Sequence, residues 1–534
     1  MGLRAYKYPK FFRRNYMKKC FVILAILMVT ASLAFARGNE QSGSAASTPV
    51  EITIYYGDNS TLPFREDWLG VQRAQQLANA RVHWEVIPQG EVLTKVNLAL
   101  NTGIDSPDLM LWQTTASAER SGQAQNGAIV PIGDYSQWTP NFNARVAEHR
   151  LQADIDLLKI GGKLYYLPAV RDLPFYDAGL ILREDILARY NVPAPKTYDD
   201  LYRILSRYKQ ENPSSYPMTT YLGPRVHYMF TMPAWGVSLH RLNDGGSRIL
   251  SWDYSRNQYF AGIISDQYRE YLRFWNKLYS EGLFDPEMVD PIPGDVWTRK
   301  MATGASIATH AWYDQIGGIA AASTIPGFKL NMYPPVAGPA GAYTTAKNRT
   351  DGGMLFPIYV SRRPDFERVV RAVDQMFYSK EAELLWCLGV EGTTYTMQGS
   401  TIRYADSIVN SADGIYKTMQ LRYGLGAAQL QYVWVNAREM TKYDENYSQL
   451  NKAVAAMTPN PMRPLPPTLK YPANSTTDSD RAAILSGILY DAWLVWDDNF
   501  ITGRRSVETD WNAYVADMRS KGIDEFVTIY NRYK

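Results

Sequence analysis

Chemistry needs particular side chains at particular spacings, and this chain offers few such sets. Its five histidines (His83, His149, His227, His240 and His310) are scattered, with no pair at zinc-ligand spacing. Adjacent acids occur at Asp199-Asp200 and Asp497-Asp498. Paired carboxylates can run glycoside hydrolysis, but neighbours on a helix point in different directions. Both pairs fall in amphipathic stretches, which fits a solvated face. No glycine-rich loop ends in Lys-Ser or Lys-Thr, and no Gly-x-Ser-x-Gly elbow occurs, so nucleotide hydrolysis and serine-hydrolase chemistry have no support. What abounds is planar surface, with 38 Tyr and 14 Trp. Such rings stack on the apolar faces of sugars while their polar edges reach hydroxyls. Four stand where packing alone gives them little reason to be. Trp112 ends an apolar run before Gln113-Thr114. Trp235 lies in the loop-like Met232-Pro233-Ala234-Trp235-Gly236. Trp312 follows Thr309-His310-Ala311, and Tyr395 follows Gly392-Thr393-Thr394. Tyr268, Tyr271, Phe274, Trp275 and Tyr279 recur at helical spacing and read as core.

These rings need elements to hold them. Residues 51–57 alternate, with Ile52, Ile54 and Tyr56 on one face of a strand. Helical spacing follows over 66–80, a strand over 81–88, a helix over 91–102 and a short apolar strand over 108–112. Strand–helix–strand–helix–strand with short links predicts a parallel sheet covered on both faces, with ligands gathering beyond the carboxyl ends of its strands. That puts Gly57-Asp58-Asn59 and Trp112-Gln113-Thr114 at a rim. Further on, Gly161-Gly162-Lys163 predicts a turn, 164–167 a strand stopped by Pro168, and 180–182 another strand. Thr197 reads as an N-cap for a helix over 198–210. A long helix is expected over 258–282, a strand near 306–308, and a loop over 334–353. Helices are expected over 363–378, 380–388, 478–499, 506–520 and 523–533. Six prolines in 459–472 make a semi-rigid connector.

The chain has 534 residues, 46% hydrophobic and 20% charged, enough for two or three domains or lobes around large cores. The formal charge of +3 is misleading. Residues 1–36 hold seven Lys or Arg and no acid, so 56 basic residues fall to 49 against 53 acidic ones, about −4 for the remainder. A mildly acidic chain without basic runs is a poor nucleic-acid binder. Lys18-Lys19, the apolar stretch 20–31 and Ala34-Phe35-Ala36 form a secretory signal with cleavage expected after Ala36. Met17 is an alternative start, and an uncleaved membrane anchor the alternative reading. Residues 37–49, rich in Gly, Ser and Ala, form a flexible linker. The only cysteines are Cys20, at the wrong end of the signal for a lipid anchor, and Cys387, in an apolar run. The mature chain is therefore expected to lack a disulfide, and Cys387 to be a buried small hydrophobe.

Several segments in this order are familiar. Gly162-Lys163-Leu164-Tyr165-Tyr166-Leu167-Pro168, Leu180-Ile181-Leu182-Arg183-Glu184-Asp185 and Pro195-Lys196-Thr197-Tyr198-Asp199-Asp200-Leu201 resemble the hinge segment of family 1 extracellular solute-binding proteins. Ser106-Pro107-Asp108-Leu109-Met110-Leu111-Trp112 is similar to a segment of maltose-binding proteins whose Trp stacks on the sugar. Thr303-Gly304-Ala305-Ser306-Ile307-Ala308 with Trp312 resembles a strand leading to another stacking Trp. Gly389–Tyr395 and the stretch from Phe500 to Tyr530 resemble the endings of the long, lipoprotein-like oligosaccharide binders. The resemblance implies an α/β periplasmic binding protein type II fold, with two α/β lobes joined by hinge crossovers around a cleft. It divides the chain into 50–168 in the N-terminal lobe, 169–335 in the C-terminal lobe, 336–395 returning to the first, and 396–534 lining the cleft and completing the second. It also implies a non-enzymatic, monomeric receptor, exported to the periplasm or beyond, that delivers a carbohydrate to the permease of an ABC importer. Asp58, Arg171, Asp172 and Arg225 then become candidates for polar contacts beside Trp112, Trp235, Trp312 and Tyr395. A secreted polysaccharide hydrolase or lyase, and a peptide receptor, are the alternatives. Many long members carry a calcium loop after the helix that follows the threonine cap. Here Gln210-Glu211-Asn212-Pro213-Ser214-Ser215-Tyr216-Pro217 lacks the spaced carboxylates, so no metal or other cofactor is expected.

Overall fold

The described strands and helices between residues 50 and 110 follow the periodicity of their sequence. In the computed structural model, strands β1 (Val50–Asp58), β2 (Ala80–Pro88) and β3 (Leu109–Met110) form a parallel sheet ordered β2-β1-β3. The helices Leu69–Ala78 and Val92–Thr102 make the connections. Ile52, Ile54 and Tyr56 face one apolar cluster, and Tyr55 faces another with Val96 and Leu100, so both faces are covered. The structure describes residues 48–534 except 59–62, 89–90, 112–117, 222–223, 238–248, 290–291, 346–348, 400, 412, 427–428, 444, 465, 467–468 and 470–475. The chain divides into two units, Met1–Pro49 and Val50–Lys534, and every element described belongs to the second.

Strand β4 (Leu167–Arg171) leaves the first region, and β5 (Ala178–Arg183) starts a second sheet with β6 (Met218–Thr220), β9 (Ala308–Trp312) and β10 (Leu330–Met332). A hairpin, β7 (Ser251–Asp253) and β8 (Gln258–Phe260), lies between β6 and β9 in sequence. The second sheet is ordered β10-β5-β9-β6, antiparallel except for β6 on β9. Leu180 and Leu182 of β5 point into one core while Ile181 points into another, the two-residue alternation of a strand buried on both faces. The second core is built largely from aromatic helices, including Tyr198–Glu211, Asp266–Ser280 and the long Thr476–Ile501. Strand β11 (Thr344–Thr345) precedes β12 (Thr350–Met354), the hairpin β13 (Tyr395–Gln398) and β14 (Thr401–Tyr404), then β15 (Val433–Trp434) and β16 (Met462–Arg463). The chain thus returns between regions several times, and the returns pair with one another. β12 and β15 flank β4, and β11 pairs with β16.

Three local expectations fail for tertiary reasons. Pro168 does not stop its strand but sits inside β4. The partner β12 shifts register between Asp351 and Met354, so Gly352-Gly353 bulge opposite the residue that has no N–H to donate. The long helix expected over 258–282 begins only at Asp266, capped by Ser265, whose hydroxyl accepts the Tyr268 N–H at 3.3 Å. Before it, Tyr259 is drawn into β8 by Trp252 and by Asn531, whose side chain accepts its N–H at 2.8 Å and donates to its carbonyl at 2.8 Å. The loop over 334–353 holds β11 and the start of β12. By contrast, Thr197 caps its helix in a reciprocal capping box with Asp200, as its spacing predicts.

Candidate ligand-binding site

The strongest convergence lies where β4 ends. β15 runs parallel to β4 and sets Trp434 beside Arg171 in register. The Arg171 guanidinium lies 4.6 Å from the Trp434 ring centroid and 5.0 Å from that of Phe175. It is 2% exposed, and its Nη2 donates to Asp351 on β12 at 3.2 Å. Its Nε and Nη1 have no hydrogen-bond partner among the described residues. A buried cation between two rings, anchored by one carboxylate, is rigid and retains donor capacity.

Beneath Trp434 lies a closed polar network. Gln431 and Lys442 both donate to Glu439, at 2.6 and 3.0 Å, and the Cys387 Sγ sits 3.1 Å from the same carboxylate. Burial pushes the Cys387 thiol well up, so it is inert, the buried role its apolar run predicts. The network fixes the helix Asn436–Tyr443 against the strand that carries Trp434.

A second wall comes from β6 and β9. Trp312 ends β9, half-buried, with its ring edge-on to Tyr221 at 5.9 Å and to Phe230 at 5.8 Å. Tyr221 follows β6 directly and packs on Trp297 at 4.5 Å. Past Trp312, Tyr313 lies 4.7 Å from Tyr447, which places the helix Glu445–Ala455 against the end of β9. Electrostatics ties the two walls together. Burial first, then Asp314, Glu439 and Asp177, hold Tyr416 well above the ordinary phenol range, while Arg171 pulls it down. Tyr447 responds to burial, Asp177, Glu439 and Arg171 in the same senses. Tyr221 is raised by burial and by Asp314. Arg171, Asp177, Tyr221, Trp312, Asp314, Tyr416, Trp434 and Tyr447 therefore share one neighbourhood, drawn from segments far apart in sequence. Planar rings interleaved with acids and one arginine suit a polyhydroxylated ligand.

The residues singled out by sequence divide. Arg171 and Trp312 belong to this neighbourhood. Asp172 is adjacent but occupied: its Oδ1 accepts the N–H groups of Leu173 and Asn436, at 2.7 and 2.8 Å, and so caps the Asn436–Tyr443 helix. Asp58 ends β1 and accepts the Phe64 N–H at 2.9 Å. Trp235 is no exposed loop ring. It is 4% exposed in the second core, against Tyr198 at 4.6 Å, Tyr271 at 5.3 Å and Phe274 at 5.4 Å, because a short helical turn lays it on the aromatic helix. Tyr395 is likewise buried, with Cys387 and Leu388, in a satellite cluster. Trp112 lies outside the described residues. Arg225 is the second residue of the Pro224–Thr231 helix, and its side chain lies outside the described set. The Asp497-Asp498 pair also departs from expectation. Asp497 is 1% exposed and accepts the hydroxyls of both Tyr228 and Tyr268. Sequence reading missed Trp434, Tyr416, Tyr447 and Tyr221. Trp434 sits in the apolar run Tyr432-Val433-Trp434-Val435 and reads as core. Its signal, a neighbour at the end of another strand, exists only after pairing.

No protein-family model matches the chain. The polygalacturonan/rhamnogalacturonan-binding protein YtcQ of Bacillus subtilis is 19% identical over 387 residues, 71% of this chain and 74% of that protein. The fructooligosaccharide ABC transporter substrate-binding protein FusA of Streptococcus pneumoniae is 23% identical over 367 residues, 62% of this chain and 64% of that protein, so the match spans just under two thirds of FusA. Among solved structures, alginate-binding protein AlgQ2, determined without calcium ion, superposes with a TM-score of 0.73 at 17% identity, covering 91% of this chain and 98% of that one. An EF-hand mutant of FusA with fructo-nystose gives 0.68 at 17% identity, over 90% and 98% of the two chains. The fold is thus that of the type II periplasmic binding proteins. YtcQ and AlgQ2 are binding proteins, FusA is the substrate-binding protein of an ABC transporter, and the chain shares the fold of AlgQ2 and FusA. No helix among the described residues is long and apolar enough to cross a membrane.

Proposed function

We propose that the protein captures an oligosaccharide between two lobes and delivers it, chemically unchanged, to the permease of an ABC importer. The observations that carry this reading are two ring clusters at strand ends, Trp312 with Tyr221 after β9 and β6 and Arg171 with Trp434 on β4 and β15, in a chain that passes repeatedly between two cores. Rings supply stacking, about 1 kcal/mol each beyond area burial. Arg171, Asp177 and Asp314 supply the polar contacts that choose among sugars. The ligands named for YtcQ, FusA and AlgQ2 are all carbohydrates, which supports the class. The lobes follow 50–168 and 169–335, with 336–395 returning to the first and 396–534 completing the cleft and the second. Closure removes water from the cleft and strengthens each hydrogen bond to a hydroxyl. Residues 1–36 direct export, and the mature protein acts as a monomer.

Calorimetry of the purified protein against neutral and uronate oligosaccharides tests the reading. Saturable one-to-one binding that weakens about tenfold in Trp312→Ala is the expected outcome. Binding to peptides alone, or turnover of any sugar, would refute it.

A further inference from the structure

The loop that leads into β6 follows the threonine-capped helix, where the resemblance to long solute-binding proteins implies a calcium loop; among the solved structures, AlgQ2 was determined without calcium ion and FusA as an EF-hand mutant. The donor set here does not fit such an ion. Glu211 offers the only carboxylate in 210–217. Its Oε2 accepts from Arg189 and the Tyr190 hydroxyl, both at 2.8 Å, and its Oε1 from Arg207 at 3.4 Å, so it is turned away and engaged. No group of three or more His, Cys, Asp or Glu among the described residues could hold a metal. Hard cations need several oxygens at one point.

A different charge closes the loop. The Lys209 ammonium, on the last turn of the Tyr198–Glu211 helix, donates to the Ser215 carbonyl at 2.7 Å and lies 4.9 Å from the Tyr216 ring centroid. Around it the loop is self-bonded. Ser215 donates to the Asn212 carbonyl through both N–H, at 2.9 Å, and Oγ, at 2.7 Å. Asn212 Nδ2 returns to the Tyr208 carbonyl at 3.1 Å. The ammonium also abuts Gly282, where a Cβ would fall 3.3 Å from Nζ on a backbone with φ +65. The loop then docks on β9. Tyr216 N–H donates to Ala305 at 3.0 Å, Ser306 Oγ to the Tyr216 carbonyl at 2.6 Å, and the Pro217 carbonyl accepts Ile307 and Ala308 N–H at 2.8 and 3.0 Å. β6 and β9 end in Thr220, before Tyr221, and in Trp312.

We propose that in this chain the Lys209 ammonium performs the loop-closing task of a divalent cation, holding 212–217, and through it the β6–β9 register, without calcium. The proposal stands on the loop alone and does not depend on which ligand the cleft takes. The test is thermal melting and amide hydrogen exchange of the full protein in millimolar calcium and in EDTA, with Lys209→Met, which keeps the stem over Tyr216 and removes the charge. The expected result is an identical wild-type midpoint in both buffers. Amides of 212–217 in Lys209→Met should exchange about tenfold faster or more in both, with partial recovery in Lys209→Arg. A wild-type midpoint that rises with calcium, or a Lys209→Met loop as protected as wild type, overturns it. If Lys209→Met does not fold, the wild-type arms decide: 212–217 protected in EDTA supports the proposal, and unprotected there sinks it.

Discussion

At the scale of single residues, two side chains carry separate tests. Trp312 offers a half-buried ring at a strand end, held edge-on by Tyr221 and Phe230. Its loss should cost affinity and little stability, because it belongs to the rim of the packing and not its centre. Asp497 should do the reverse. Burial pushes it from 3.8 up to about 7, opposed by the hydroxyls of Tyr228 and Tyr268, and Trp493 Nε1 donates to the Tyr268 hydroxyl at 2.7 Å. A carboxyl raised in the folded state binds more protons there than in the unfolded chain. Its favourable contribution is complete below about 4 and is lost as pH rises through about 7. His310, pushed down to about 3, and His227, held lower than usual by burial, stay neutral in the folded chain but take up protons on unfolding at low pH, so they work in the opposite direction. The melting temperature of the wild type relative to Asp497→Asn should therefore fall between pH 5 and pH 8. An unchanged slope in the variant would refute the assignment. Arg171 was visible in the sequence by its position after a strand. Trp434 was not, since nothing in the short apolar run Tyr432–Val435 tells a core ring from one beside a cation.

At the scale of elements, close packing around the crossover from β4 to β5 makes a sharp prediction. A Cβ at Gly179 would fall 1.6 Å from the Tyr176 hydroxyl oxygen, and that hydroxyl donates to the Tyr333 carbonyl at 3.0 Å. Gly179→Ala must displace Tyr176 and break that link between β5 and the chain after β10. It should cost about 1–3 kcal/mol in chemical denaturation. A variant as stable as wild type would show that the crossover yields. The elements most legible in sequence were those whose signals are local. The first strands and helices alternate with their own periods, and Thr197 with Asp200 announces its helix. The illegible ones depend on partners. Pro168 joins a strand only because Gly352-Gly353 can bulge across from it, and Tyr259 leaves a helical pattern only because Trp252 and Asn531 hold it in a hairpin. Trp235 misled for the same reason, as its loop is a helical turn seated on an aromatic face.

At the scale of the whole molecule, the proposed receptor would close about the paired crossovers between its two cores. Ligand should compact the protein, so small-angle scattering should give a smaller radius of gyration with bound oligosaccharide, and Trp312→Ala should blunt the change at equal ligand. A radius that does not respond to a saturating ligand would argue for a rigid body. The most direct measurement is native mass spectrometry of the mature protein mixed with a panel of neutral and uronate oligosaccharides. The account predicts one sugar per chain, released on activation at its original mass. Absence of any carbohydrate adduct, or shortened or unsaturated sugars in the mixture, would contradict it.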